Sequence, residues 1–206
     1  MKSARTSRAW IRAHINDSFV RKANHEGYRS RAAYKLQEIA ERDALFMPGM
    51  TVVDLGAAPG SWAQVALESV GAAGRVFALD MLDMAPLPGV TFIKGDFRED
   101  DVLAELEKAL DGKRADLVIS DMAPNLTGIR VSDQAHGMYL AELALAFCRE
   151  HLNPGKNFLV KVFQGSDFET FRQSMQADFA KVVIRKPKAS RDRSKELYLL
   201  GLEKII

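Results

Sequence analysis

The sequence predicts an α/β fold: a single domain with a mostly parallel seven-stranded sheet, one antiparallel strand, and helices on both faces. Three observations predict it. Short apolar runs alternate with helical patterns along the chain. The runs are nearly continuous rather than alternating, as strands buried on both faces require. The last two strand-like runs, 181–185 (KVVIR) and 196–202 (ELYLLGL), are joined by a stretch too short for a parallel crossover, so one of them runs antiparallel.

The elements follow in order. Residues 1–29 have weak periodicity and form a basic, partly mobile segment ahead of a domain spanning 30–206. A helix is expected over 30–43, where Ala32, Leu36, Ile39 and Ala40 make an apolar stripe with Lys35 at its edge. Strands follow at 51–55 (TVVDL), 75–80 (RVFALD), 90–94 (VTFIK), 115–121 (ADLVISD) and 156–163 (KNFLVKVF). Helical patterns fall near 60–70, 100–110, 135–152 and 167–178. The stretch 124–134 (PNLTGIRVSDQ) reads as a polar loop after a strand. No internal repeat is present.

At 206 residues and 47% hydrophobic, the chain suits one domain with a sizeable core. No apolar stretch approaches the roughly 18 residues of a membrane span. The first residues, MKSARTSRAWIR, lack the apolar centre of a secretory signal, so a cytoplasmic protein is expected. The single cysteine, Cys148, reads as a small core residue in a reducing compartment. His14, His25, His136 and His151 are scattered, and no spacing suggests a metal site. Net charge is only +2, but it is unevenly spread. Residues 1–35 carry nine Lys/Arg against two acids, and 181–195 carry seven against one. Residues 36–180 carry twelve basic and twenty-two acidic residues. The two basic ends are either solvated tails or a patch that neutralises phosphates.

The stretch DLGAAPGSW, Asp54–Trp62, lies where a strand turns into a helix. Ligands of open parallel sheets bind at such strand ends. Gly56 permits a tight turn, Pro59 suits a first helical turn, and Gly60 leaves the helix terminus uncrowded. The spacing is not G-x-G-x-x-G, which weakens a pyrophosphate reading. Asp80 ends the second strand and can accept from ribose hydroxyls; Asp96, after the third, can meet an amino group on a base. This series fits a nucleoside ligand, either a dinucleotide or S-adenosylmethionine. Either aspartate can equally be a cap or turn residue.

Four charged residues are harder to dismiss. Lys161 interrupts FLVKVF, and a lysine inside a central strand is costly unless paired or functional. Asp121 ends the preceding strand, and sequential parallel strands tend to be neighbours. Glu196 begins the last strand, whose start lies at this same edge if it runs antiparallel. Lys35 flanks an apolar stripe. Singly, each is an ordinary salt-bridge residue; together they converge on one sheet edge.

DLGAAPGSW, the lysine in SRAAYKL, SDMAPN, FLVKVFQG and SKELYL together resemble the FtsJ/RrmJ family of RNA ribose 2′-O-methyltransferases, and most closely its bacterial ribosomal branch. The resemblance runs from about Ser7 to the last strand. It implies a Rossmann-like class I methyltransferase fold. It also implies a catalytic tetrad of Lys35, Asp121, Lys161 and Glu196, and S-adenosylmethionine contacts at Gly60, Trp62, Asp80, Asp96 and Asp121. Two departures stand out: Ser61, where a second glycine is expected, and the loop 127–134. The resemblance further implies methylation of a uridine ribose in 23S ribosomal RNA, with the 50S particle as substrate; nothing in the sequence demands more than a monomer. Transfer RNA or a messenger cap is the alternative substrate. A non-catalytic RNA-binding assembly factor and a nicotinamide oxidoreductase are the readings of other classes.

In a direct transfer the ribose 2′-OH meets the methyl group in line and loses its proton. With two carboxylates nearby, a charged Lys161 that orients the oxygen and stabilises its developing charge is favoured over a neutral base.

Overall fold

The computed structural model of the protein describes residues 17–124, 127–191 and 194–205. Of the basic segment 1–29, residues 1–16 lie outside the described residues. Ser18–Glu26 forms helix α1, started by the Asp17 carboxylate accepting from the Phe19 N–H at 3.0 Å. The weak periodicity of 1–29 did not predict this helix. It is held by packing: Ala23 is buried against Tyr34 and Ala189.

Helix α2 is Ala33–Asp43, strand β1 Thr51–Leu55, helix α3 Ser61–Val70, and strands β2 and β3 are Arg75–Asp80 and Val90–Lys94. Then come α4 (Asp100–Leu110), β4 (Ala115–Ser120), α5 (Arg130–His151), β5 (Leu152–Phe163), α6 (Phe168–Asp178), β6 (Phe179–Arg185) and β7 (Glu196–Lys204). The seven strands are ordered β3-β2-β1-β4-β5-β7-β6, all parallel except β7, which runs antiparallel to both neighbours. From β1 the chain winds outward to β3 and then returns to β4 on the other side of β1. This reversal opens the sheet edge between β1 and β4.

Every residue of β1 is buried, Thr51 and Asp54 included, as expected of a mostly apolar strand covered on both faces. The strand period of two splits the core. Val53, Leu55, Val118, Phe158 and Val160 face α4, α5 and α6. Val52, Leu117, Ile119, Leu159 and Leu200 face α2 and α3. Helix α2 is pinned by Leu36 and Ile39, at 0% and 1% exposure. Each such side chain contributes about 1.5–3 kcal/mol of burial.

Helix α5 begins at Arg130 rather than 135, so residues 130–134 are helical and not loop. The Asp133 carboxylate accepts from the N–H and hydroxyl of Thr127, both at 2.7 Å, and from the Gly128 N–H at 3.2 Å. These bonds tie the preceding turn onto the new first turn of the helix. Pro59 precedes helix α3 instead of sitting in its first turn, and its bond to Ala58 is cis. Among the described residues, no helix is long and apolar enough to cross a membrane.

Candidate active site

The turn after β1 is shaped by backbone demands. Gly56 has φ 78°, and a Cβ there would stand 2.7 Å from the Met122 Cα. Its N–H and that of Ala57 donate to the Leu79 carbonyl at 2.9 and 3.1 Å, joining the turn to the end of β2. The Asp80 carboxylate continues that seam, accepting from the Ala58 N–H at 2.9 Å and the Leu82 N–H at 2.8 Å. Above the turn opens a cavity of about 470 Å³, within the range of small-molecule sites. Gly56, Asp80, Asp96, Phe97, Asp121 and Met122 line it. Asp96 accepts from the Arg98 Nε at 2.9 Å and from the Arg98 N–H at 3.0 Å. Its bond to the Arg98 guanidinium holds this carboxyl below its usual range.

Gly60 and Trp62 are not in the cavity lining. Gly60 has φ 106°, and a Cβ there would meet Arg29 Nη1 at 2.6 Å and Met84 Sδ at 2.8 Å. Its lack of a side chain thus serves the packing of Arg29. Trp62 is 2% exposed; its indole N–H donates to the Ala32 carbonyl at 2.9 Å, and its ring tilts against Tyr198. The Trp62 side chain is therefore a core group, so any cofactor contact at these two positions falls to the backbone at the start of α3. Ser61, the departure from the expected second glycine, is buried and shares a 2.6 Å hydrogen bond with Ser30.

The predicted tetrad assembles. Leu117, Ile119 and Asp121 share one parity along β4 and its end, Leu159 and Lys161 share one on β5, and Glu196, Tyr198 and Leu200 share one on β7. All point to the face that α2 covers, and α2 adds Lys35. The Lys35 Nζ donates to Glu196 Oε1 at 2.5 Å. The Lys161 Nζ lies 3.1 Å from Asp121 Oδ1 and donates to the Asp121 carbonyl at 2.5 Å. Lys161 is only 7% exposed, so this pairing offsets a large desolvation cost. Sequence reasoning missed Tyr198, whose hydroxyl donates to Asp121 Oδ1 at 2.9 Å. The one available signal was its place two residues after Glu196 on the same strand face.

A second hollow, of about 220 Å³, lies on the other side of the tetrad, lined by Ser30, Arg31, Lys35, Arg191, Ser194 and Glu196. Asp121 thus borders the first cavity while Lys35 and Glu196 border the second. Arg31 and Arg191, one from each basic end, meet here. Arg31 pairs with Asp17 and donates to the Ala189 carbonyl; burial, and then Arg191, lower its pKa. Other basic residues are engaged inside the fold. Arg29 donates to the carbonyls of Pro59, Ala85 and Pro86, Arg185 pairs with Asp43, and Lys186 donates to the carbonyls of Ser194 and Glu196. Arg193 lies outside the described residues.

Residues 28–204 match the FtsJ-like methyltransferase family. The chain is 90% identical over 206 residues, the full length of both proteins, to a protein of Nitrosomonas eutropha named Ribosomal RNA large subunit methyltransferase E. It is 67% identical to the protein of that name in Nitrosospira multiformis, over 99% of each chain. Among solved structures, a ribosomal RNA methyltransferase of Plasmodium falciparum is similar at a TM-score of 0.77 and 30% identity, covering 86% of this chain and 99% of that one. These matches set aside the nicotinamide oxidoreductase and the non-catalytic assembly factor. The chain is an enzyme and belongs to the FtsJ-like methyltransferase family.

Proposed function

We propose that the enzyme methylates the ribose 2′-OH of a uridine in 23S ribosomal RNA, on the assembled or assembling 50S particle, using S-adenosylmethionine. It does so as a cytoplasmic monomer, with residues 30–206 as the methyltransferase domain and 1–29 as a basic N-terminal segment. The observation that carries this reading is the tetrad standing between two openings. Asp121 borders an acid-lined cavity, and Lys35 and Glu196 border a hollow that holds two arginines. The relatives' names, which specify large-subunit ribosomal RNA, support the substrate class.

The residues fit the cofactor. Asp80 and Asp96 line the cavity as acceptors, with lone pairs left beyond their present bonds, and the glycine at 56 keeps the turn thin. Bound there, S-adenosylmethionine supplies an activated methyl group. Lys161, held by the Asp121 carboxylate and carbonyl, orients the acceptor oxygen and stabilises the negative charge that grows as its proton is lost. Lys35 and Glu196 hold the ribose from the opposite side. The shielded position of Lys161 strengthens its effect on that charge.

Lys161→Ala should abolish methyl transfer in a single turnover while leaving the Kd for S-adenosylmethionine within a few-fold. Near-normal turnover on a verified ribosomal substrate would refute this role. Mapping the nucleotide left unmethylated in cells lacking the protein tests the substrate; a transfer RNA or cap position would overturn it.

A further inference from the structure

Tyr198 has no exposed surface, and its hydroxyl is where the two halves of the tetrad meet. Its single proton is shared between two acceptors, Asp121 Oδ1 at 2.9 Å and Glu196 Oε1 at 3.1 Å. Lys161 reaches that same oxygen of Asp121, and Lys35 that same oxygen of Glu196. Lys35, Glu196, Tyr198, Asp121 and Lys161 therefore form one unbroken polar chain. It runs from α2 through the start of β7 and the end of β4 to β5. Without the hydroxyl it falls into two separate ion pairs.

Packing alone does not account for a tyrosine here. The ring lies 5.6 Å from the Trp62 ring, centroid to centroid, and phenylalanine would fill that space without a buried polar atom to satisfy. Burial, and then the two carboxylates, push the phenol well above its usual range, so it keeps its proton and acts as a donor. Register fixes its place: Tyr198 is the direct partner of Lys161 across the β5–β7 pair.

We propose that Tyr198 is a positioning residue for methyl transfer, whose hydroxyl ties Asp121 to Glu196 and thereby fixes Lys161 and Lys35 relative to the acceptor ribose. This rests on the tetrad reading above. Its removal acts on the rate of the chemical step and not on binding, because the hydroxyl is enclosed by tetrad groups and borders neither cavity.

The test is Tyr198→Phe, measured by single-turnover methylation and by the Kd values for S-adenosylmethionine and ribosomal RNA. The rate should fall about tenfold to a hundredfold, the value of one hydrogen bond to a charged group. Both Kd values should stay within about threefold. In a Glu196→Leu background the same change should cost much less, because without an acceptor at 196 the chain is already interrupted there. Leu200→Val, on the same face of β7 but without a polar atom, should lower the melting temperature and leave the rate alone. If Tyr198→Phe behaves like Leu200→Val, or loses cofactor binding along with rate, the tyrosine is structural and the proposal is overturned. Additive effects of Tyr198→Phe and Glu196→Leu also overturn it. Lys161→Ala in the same assay separates the levels. An active Lys161→Ala brings down the tetrad and this inference together, whereas an inactive one beside an unimpaired Tyr198→Phe removes this inference alone.

Discussion

Asp54 lies beneath the glycine turn with no exposed surface, and among the described residues neither oxygen makes a hydrogen bond of full geometry, the Ala63 N–H being a weak backbone donor to it. Burial, and then the nearby Asp121 and Asp80, push its carboxyl well above the usual range. The folded protein therefore holds a proton here that the unfolded chain releases above its ordinary pKa of 3.8. Because the folded state binds more protons, this group lowers stability as pH rises from 3.8 through the raised folded value. Asp54→Asn lacks that penalty. It should melt above the parent at pH 7, with the gain shrinking as pH falls toward about 4. Melting curves across that range check this, and a pH-independent difference would contradict it. Lys161 was legible as a functional residue because a cation in an apolar strand is anomalous. Asp54 and Tyr198 were not, since an acid before a glycine turn and a tyrosine in a strand are ordinary there.

At the scale of elements, the turn between α1 and α2 is stitched to helix α3. The Arg29 N–H donates to Gln64 Oε1 at 2.9 Å, Gln64 Nε2 donates to the Gly27 carbonyl at 3.0 Å, and the Arg29 guanidinium bridges the carbonyls of Pro59, Ala85 and Pro86 beside the glycine turn. Charge counting left the basic residues of 1–35 as either solvated tails or one phosphate-neutralising patch; among the described residues, the fold divides them. Arg29→Ala should weaken S-adenosylmethionine binding several-fold, up to roughly tenfold, through the loosened turn. It should leave the salt dependence of RNA binding unchanged. Arg191→Ala should do the reverse, because Arg191 is exposed at the second hollow. RNA affinity should fall and the log–log salt slope should flatten by about 0.7 if its phosphate is on a single strand. Titrations of both variants across a salt series distinguish the two roles, and identical behaviour would contradict the division.

For the whole molecule, a cofactor that binds only the folded state stabilises every element at once. At a hundred times its Kd, S-adenosylmethionine should add about 2.7 kcal/mol. For a chain of this length that is a rise of roughly 5–11 °C in melting temperature. NAD should produce none, and a shift with NAD alone would overturn the cofactor assignment. Asp80→Ala should shrink the shift, since it removes a cavity acceptor and the anchor for the Ala58 and Leu82 N–H groups.

The sequence by itself determined the run of strands and helices, the single antiparallel strand and the turn at the sheet edge. These depend on side-chain period, on loop length and on where only glycine can bend, all written locally. It also brought Lys35, Asp121, Lys161 and Glu196 to one edge, because strand parity is local, adjacent strands tend to pair and Lys35 flanks the apolar stripe of its helix. Only the tertiary structure decided that Trp62 is a core group, that Arg29 braces the glycine turn and that helix α1 exists at all. It alone joined Lys35 to Glu196 across 161 positions and Tyr198 to Asp121 across 77. Contacts at such separations are set by how helices and strands dock on a shared core. No local pattern carries that information.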